Sequence, residues 1–153
     1  MDALAPPLVV IVEDDEFAAF LFKQALTAHG YAVIVSRGDD ESLGALPDLR
    51  PAALLVDLHL GDLDGLDLLR RLRSQRALRY VPAAVITGDY FTEANVTDEM
   101  EALGIDLYLK PIWEDELLRV VAGLLRRTPL TASTGGDEAD DYRRPRHWST
   151  AVN

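Results

Sequence analysis

Apolar residues gather along the chain in short unbroken runs, Leu8–Val12, Tyr31–Val35, Ala52–Val56 and Pro82–Ile86, and a fifth stretch of the same style, Asp106–Leu109, opens on an acid. Unbroken apolar runs rich in β-branched residues, rather than alternation, predict parallel strands covered on both faces. Helical spacing fills the gaps. The first helix, over about residues 15–29, sets Phe17, Phe20 and Leu21 on one face. A short second slot, Asp39 to Leu46, contains Gly44, and a third helix is led by Leu66, Leu69 and Leu72 between Gly65 and a basic stretch before Pro82. Val96, Met100 and Leu103, at i, i+4 and i+7, mark a fourth. Trp113, Leu117, Val120, Val121 and Leu124 make a clear final amphipathic helix. Its first turn carries Glu114 and Asp115 and its end Arg126 and Arg127, as the helix dipole favours. Five successive βα units predict an α/β fold with a doubly wound five-stranded parallel sheet and helices on both faces.

The pattern stops at Arg127. Residues 128–153 hold few aliphatics, an acidic cluster at Asp137–Asp141, and then Arg143-Arg144-Pro145-Arg146-His147-Trp148. Such a segment has too little apolar surface for a core of its own. We therefore expect one domain over 1–127 and a polar tail over 128–153, flexible or docked on a partner, with His147 and Trp148 as its contact residues. Nothing after residue 127 is long enough for a DNA-binding or catalytic output domain.

Composition narrows the function. Net charge is −11, and residues 1–127 alone hold 12 basic and 22 acidic side chains. A body this acidic is repelled by a phosphate backbone, which disfavours direct DNA binding. With no cysteine there are no disulfides or thiolate metal sites, as fits a cytoplasmic protein. No apolar run reaches the roughly 20 residues of a membrane-spanning helix, and the N-terminus has no secretory signal pattern.

Reactive side chains fall where the strands end. The first strand runs into Glu13-Asp14-Asp15, the third into Asp57, the fourth into Thr87 and the fifth into Lys110-Pro111. Open parallel sheets bind ligands outside the carboxyl ends of their strands. Carboxylates converging there repel one another, by about 4 kcal/mol per pair at 4 Å and an effective dielectric of 20. A divalent cation offsets that, and an all-oxygen donor set suits Mg²⁺ or Mn²⁺. Taken singly, each motif has a blander reading: acids at a helix start, an aspartate capping a turn, a solvated lysine. Their coincidence at one sheet edge favours phosphoryl chemistry, for which aspartate is an established nucleophile.

The stretches Val9–Asp15, Leu54–Gly65, Val85–Gly88 and Tyr108–Pro111 together resemble the receiver domains of bacterial two-component response regulators. The resemblance spans residues 8–127 and implies the flavodoxin-like receiver fold with strand order 2-1-3-4-5. It implies Asp57 as phosphoacceptor, fed from phosphohistidine on a histidine kinase or histidine phosphotransfer protein. Mg²⁺, or Mn²⁺, would be held by Asp14, Asp57, the backbone carbonyl of His59 and, mainly through water, Glu13. Lys110 would pair with the phosphoryl group, Thr87 would turn its hydroxyl toward it, and Gly88 would leave it room. Lys110-Pro111 would be cis. Output would pass to a downstream protein target, and members of the family often dimerise through the fourth helix, fifth strand and fifth helix.

This chain departs from the family in places. The switch aromatic usually stands three residues before the lysine; here Leu107 holds that position and Tyr108 stands two before. Strand alternation sets the two on opposite faces. Gly61 stands where proline is frequent, and His59 and Asp89 occupy positions that in receivers flank the phosphoryl group and tune its lifetime. Two rival readings remain. A degenerate receiver would bind partners without phosphorylation, supported by the displaced aromatic and opposed by the intact Glu13, Asp14, Asp57, Thr87 and Lys110. A phosphohydrolase with an aspartyl-phosphate intermediate would want a second acid two residues after Asp57, where His59 stands. We therefore expect a phosphoacceptor switch rather than a turnover enzyme. Arg70, Arg71, Arg73, Arg76 and Arg79 read as a solvated basic face, and His29 as a partner for the end of the first helix.

Overall fold

The computed structural model describes residues 4–60, 63–88 and 94–127. Elements run in the order β1 (Leu8–Val12), α1 (Glu16–Ala28), β2 (Ala32–Ser36), α2 (Asp40–Leu49), β3 (Ala53–Val56), β4 (His59–Leu60), β5 (Leu63–Asp64), α3 (Gly65–Ser74), β6 (Ala83–Thr87), α4 (Ala94–Ala102), β7 (Ile105–Leu109) and α5 (Glu114–Leu125). The main sheet runs β2-β1-β3-β6-β7 with every pairing parallel, the expected doubly wound order once the small β4–β5 pair is set aside.

Side-chain alternation along buried strands splits the core in two. Val10, Val12, Leu54, Val56, Ala83 and Val85 face a layer built from Leu43 and Leu46 of α2, Leu66 to Leu72 of α3, and Met100 of α4. Val9, Ile11, Ala53, Leu55, Ala84 and Ile86 face Phe22 and Leu26 of α1 and Leu117, Val120, Val121 and Leu124 of α5. Each α5 side chain so buried contributes roughly 1.5–3 kcal/mol before the entropy of ordering it. No helix among the described residues is long and apolar enough to cross a membrane.

Several local expectations are corrected. Helix α1 buries Ala19, Phe22 and Leu26, while Phe17, Phe20 and Leu21 point outward. Apolar residues lie on both faces of this helix, so periodicity alone chose the wrong one. Helix α2 continues through Gly44 and Pro47 to Leu49, because Asp39 caps its first turn by accepting from Ser42 N, and Leu43 and Leu46 are buried. Trp113 belongs to the start of α5 rather than its core stripe and is 70% exposed. The antiparallel β4–β5 pair, with His59 opposite Asp64 and Leu60 opposite Leu63, stands where the sequence pattern predicts plain loop.

The arginine-rich stretch also proves less uniform than a solvated face. Arg70 ties α3 to α4 through Glu99 and also pairs with Asp67. Arg73 donates to three carbonyls, Leu78 at 3.0 Å, Val81 at 2.5 Å and Leu103 at 3.2 Å, and so ties α3 to residues 78–81 and to the turn after α4. His29 meets its expectation: Nδ1 lies 2.9 Å from the carbonyl of Ala25 in the last turn of α1. Gly30, at φ +89°, then turns the chain out of the helix in the left-handed region that glycine tolerates.

Candidate functional site

The carboxyl ends of β1, β3, β6 and β7 share one edge because all the pairings are parallel. Ladder hydrogen bonds carry past the strand ends and hold the first residue or two beyond them. Glu13 N donates to Ser36 O at 2.9 Å, Asp57 N to Val12 O at 3.0 Å, and Lys110 N to Thr87 O at 2.8 Å. Backbone register thus positions Glu13, Asp57 and Lys110 before any side-chain contact is made. Glu13 and Asp57 are buried, at 3% and 7% exposure, and Thr87 is fully buried at the end of β6.

Lys110 Nζ bridges the two buried acids, donating to Glu13 Oε2 at 2.8 Å and Asp57 Oδ2 at 2.9 Å. The other oxygens are also engaged: His59 N donates to Asp57 Oδ1 at 3.0 Å, and Asp15 N to Glu13 Oε1 at 3.2 Å. Asp14 is exposed beside them, and Glu13, Asp14 and Asp57 can each offer an oxygen with all three within 4.8 Å of one another. Burial pushes the Glu13 carboxyl above its ordinary pKa, the hydrogen bond from Lys110 pulls it down, and the Asp57 charge adds to the rise. Burial works to lower the Lys110 ammonium, but its bonds to Glu13 and Asp57 prevail and raise it. A buried, hydrogen-bonded carboxylate with an ammonium on one oxygen thus stands beside two further acids that can share a hard cation.

Gly65 fixes the segment after Asp57. A Cβ there would lie 2.5 Å from both Cα and O of Leu58, while Gly65 N donates to Leu58 O at 3.0 Å. Only glycine permits this approach. Leu58 is thereby held against the start of α3.

Residues 9–122 match the response regulator receiver domain family. The chain belongs to that family. Among relatives, the polar-differentiation response regulator DivK of Brucella anthropi is 29% identical over 121 residues, covering 78% of this chain and 97% of DivK. Response regulator MprA of Mycobacterium ulcerans is 34% identical over 136 residues, covering 87% of this chain and 54% of MprA. The chain thus spans about half the length of MprA, and 47% of the transcriptional regulatory protein TrcR of Mycobacterium tuberculosis. In structure, the signal receiver domain of a modulated diguanylate cyclase from Desulfovibrio desulfuricans superposes with a TM-score of 0.66 at 30% identity, over 78% of this chain and 94% of that one. Chemotaxis protein CheY4 of Vibrio cholerae, at 21% identity, shares the fold with a TM-score of 0.71, over 79% of this chain and all of its own.

In this receiver the Lys110-Pro111 peptide is cis. Leu107 packs with the α2–α3–α4 layer and Tyr108 with the α1–α5 layer. Tyr108 therefore lies on the opposite face from the position the switch aromatic usually holds. Burial, reinforced by the nearby Asp106 carboxylate, raises the Tyr108 hydroxyl above its ordinary pKa. Gly88 is exposed at the end of β6, and a Cβ there would meet nothing within 4 Å. Gly61, Asp89 and the tail with His147 and Trp148 lie outside the described residues. Sequence reasoning missed Gly65 as a positioning residue, although a glycine opening a helix eight residues after Asp57 was visible.

Proposed function

We propose that this receiver accepts a phosphoryl group on Asp57 from a phosphohistidine of a histidine kinase or histidine phosphotransfer protein. The observation that carries the reading is the Lys110 bridge between Glu13 and Asp57 at the carboxyl edge of the sheet, with Asp14 alongside. An Asp57 carboxylate oxygen attacks phosphorus, the phosphorus–nitrogen bond breaks, and the imidazole nitrogen of the donor keeps the electron pair. Lys110 holds a positive charge beside the oxygen where negative charge gathers. Thr87 offers its hydroxyl at the end of β6, and exposed Gly88 leaves the approach open.

The all-oxygen donor set fits a hard divalent cation, Mg²⁺ or Mn²⁺, with Asp14, Asp57 and the His59 carbonyl as protein ligands and Glu13 reached mainly through water. Such an ion supplies charge neutralisation for the transferring phosphoryl group. His59 and Asp89, two residues beyond Asp57 and Thr87 in the sequence, tune its loss to water. The chemistry ends with self-phosphorylation and autodephosphorylation. Signal passes through protein contacts to a downstream target, with α4, β7 and α5 as the face for self-association and no direct role for DNA or membrane.

The test is phosphorylation of the purified chain by acetyl phosphate with Mg²⁺, read by intact mass, for wild type, Asp57→Asn and Asp57→Ala. One added phosphate that requires Mg²⁺ and disappears in both variants is expected. A wild-type chain that neither gains mass nor binds a beryllofluoride mimic would sink the phosphoacceptor reading in favour of a phosphorylation-independent receiver.

A further inference from the structure

Residues 68–88 hold five arginines and no acid, in a chain of net charge −11. Arg70 and Arg73 are engaged within the fold, on Glu99 and Asp67 and on the carbonyls of Leu78, Val81 and Leu103. Arg71, Arg76 and Arg79 are exposed. Among the described residues no carboxylate lies within ion-pair distance of these three, whereas Arg37, Arg119 and Arg127 each meet one. Tyr80, 42% exposed, follows directly on Arg79. Over residues 1–127, with 22 acidic side chains to 12 basic, three neighbouring arginines left without a carboxylate make a concentrated positive patch on a negative body.

The backbone beneath the patch is fixed. Gln75 N donates to Leu72 O at 3.2 Å, Leu78 N to Gln75 O at 3.0 Å, and Val81 N to Leu78 O at 3.3 Å. Leu78 is fully buried, and Arg73 holds the carbonyls of Leu78 and Val81 from within. A partner therefore has only side chains to order, which lowers the cost of binding. Helix α3 runs back from the carboxyl end of β3, and β6 begins just after Pro82. Segment 74–81 thus lies at the amino edge of the sheet, at the far end of the strands from Asp57. A partner held there leaves the Asp57 edge open.

We propose that Arg71, Arg76, Arg79 and Tyr80 form a docking surface for a short acidic segment of a partner protein. Guanidinium groups are planar and take carboxylates two hydrogen bonds at a time, and the tyrosine adds a ring and a hydroxyl. Phosphate polymers share that chemistry, and the rest of the surface decides against them. Duplex nucleic acid carries a charge every roughly 1.7 Å, and an anionic membrane is charged throughout its plane. Either brings negative charge past the patch to within a Debye length, about 8 Å, of the surrounding acids. A short acidic segment ends where the patch ends. The proposal stands apart from the phosphoacceptor reading.

The test is fluorescence anisotropy of a fluorescein-labelled hexaglutamate peptide titrated with the full chain. We expect saturable binding at about 0.02 M salt that weakens severalfold by about 0.2 M. Arg71→Glu, Arg76→Glu and Arg79→Glu combined should weaken it about tenfold or more, with the melting temperature unchanged because these side chains are exposed. Lys23→Glu with Arg119→Glu, which make the chain more acidic elsewhere, should weaken it about twofold at most. Amide shifts of the wild-type chain on adding the peptide should cluster at residues 71–80. No binding, shifts clustered elsewhere, or equal losses in the two sets of variants would overturn the proposal. A single-stranded oligonucleotide or phosphatidylserine vesicles bound more tightly than the peptide through the same arginines would also overturn it, assigning the patch to nucleic acid or membrane. Self-association of the wild type that the triple variant loses would assign it instead to a second copy.

Discussion

Replacing Lys110 with methionine keeps much of the side chain's length and removes the ammonium that Glu13 and Asp57 share. The two carboxylates it leaves are only 3% and 8% exposed as side chains, and their contacts to Nζ are 2.8 and 2.9 Å. At an effective dielectric of 20 each contact is worth about 6 kcal/mol of attraction, most of it cancelled by the cost of burying the charges. Removing one member of a buried pair costs about 3–5 kcal/mol. Lys110 is itself one-quarter exposed, and Glu13 can escape by taking a proton, so we expect a loss of about 2–3 kcal/mol near pH 7. The pH dependence has a definite sign. Glu13 already lies above its ordinary value through burial, and loss of Lys110 removes its largest lowering cause. A carboxyl whose folded pKa is raised binds more protons folded than unfolded between the two values, so stability falls as pH rises through that window. The deficit of Lys110→Met should therefore be small near about pH 5 and grow toward pH 7. Urea unfolding in chelator at both pH values measures it, and Mg²⁺ should recover part of the loss by binding the folded state. A variant as stable as wild type at pH 7, or a deficit independent of pH, would refute the account.

Gly65→Ala should destabilise the fold by about 1–3 kcal/mol, because its Cβ would lie 2.5 Å from the Leu58 backbone and force Leu58 away from the start of α3; thermal melting checks this. Arg73→Ala removes the donor to the carbonyls of Leu78, Val81 and Leu103 and should cost about 2–3 kcal/mol in urea unfolding, with little effect on phosphate uptake. Asp39 is held below its ordinary pKa by side-chain and backbone hydrogen bonds from Ser42. Its contribution is thus present above the usual aspartate range and lost as pH falls through its lowered folded value, so Asp39→Asn should flatten the acid limb of a stability–pH profile.

The central strands β1, β3 and β6 were legible because each is buried on both faces and so has no polar partner in its alternation, and the partly exposed edge strands β2 and β7 still kept short apolar runs. The site was legible for a related reason: Glu13, Asp57, Thr87 and Lys110 interrupt apolar runs at the one place where a parallel sheet collects its strand ends. Helix α1 was misread because periodicity counts apolar residues without knowing which face meets the sheet, and Phe17, Phe20 and Leu21 form as regular a stripe as Ala19, Phe22 and Leu26. Helix α2 was cut short because Gly44 and Pro47 weigh against a helix locally, whereas burial of Leu43 and Leu46 and the Asp39 cap are tertiary and local gains that outweigh them. Arg73 looked like its basic neighbours, and only the three-dimensional path of residues 78–81 shows which arginine turns inward. The β4–β5 pair is two residues a side, too short for any period to register.

The sheet order has a consequence for how the chain comes into being. The first strand synthesised lies second from one edge, with β2 and β3 against it. The acids of residues 13, 14 and 57 can thus come together before β6 and β7 exist. Lys110 comes 53 residues after Asp57, about 3–10 s later at translation rates of roughly 5–20 residues per second. If the first three strands pair within that interval, their acids meet without the ammonium, and protons, solvent or a divalent ion must carry the neutralisation until the last strand arrives.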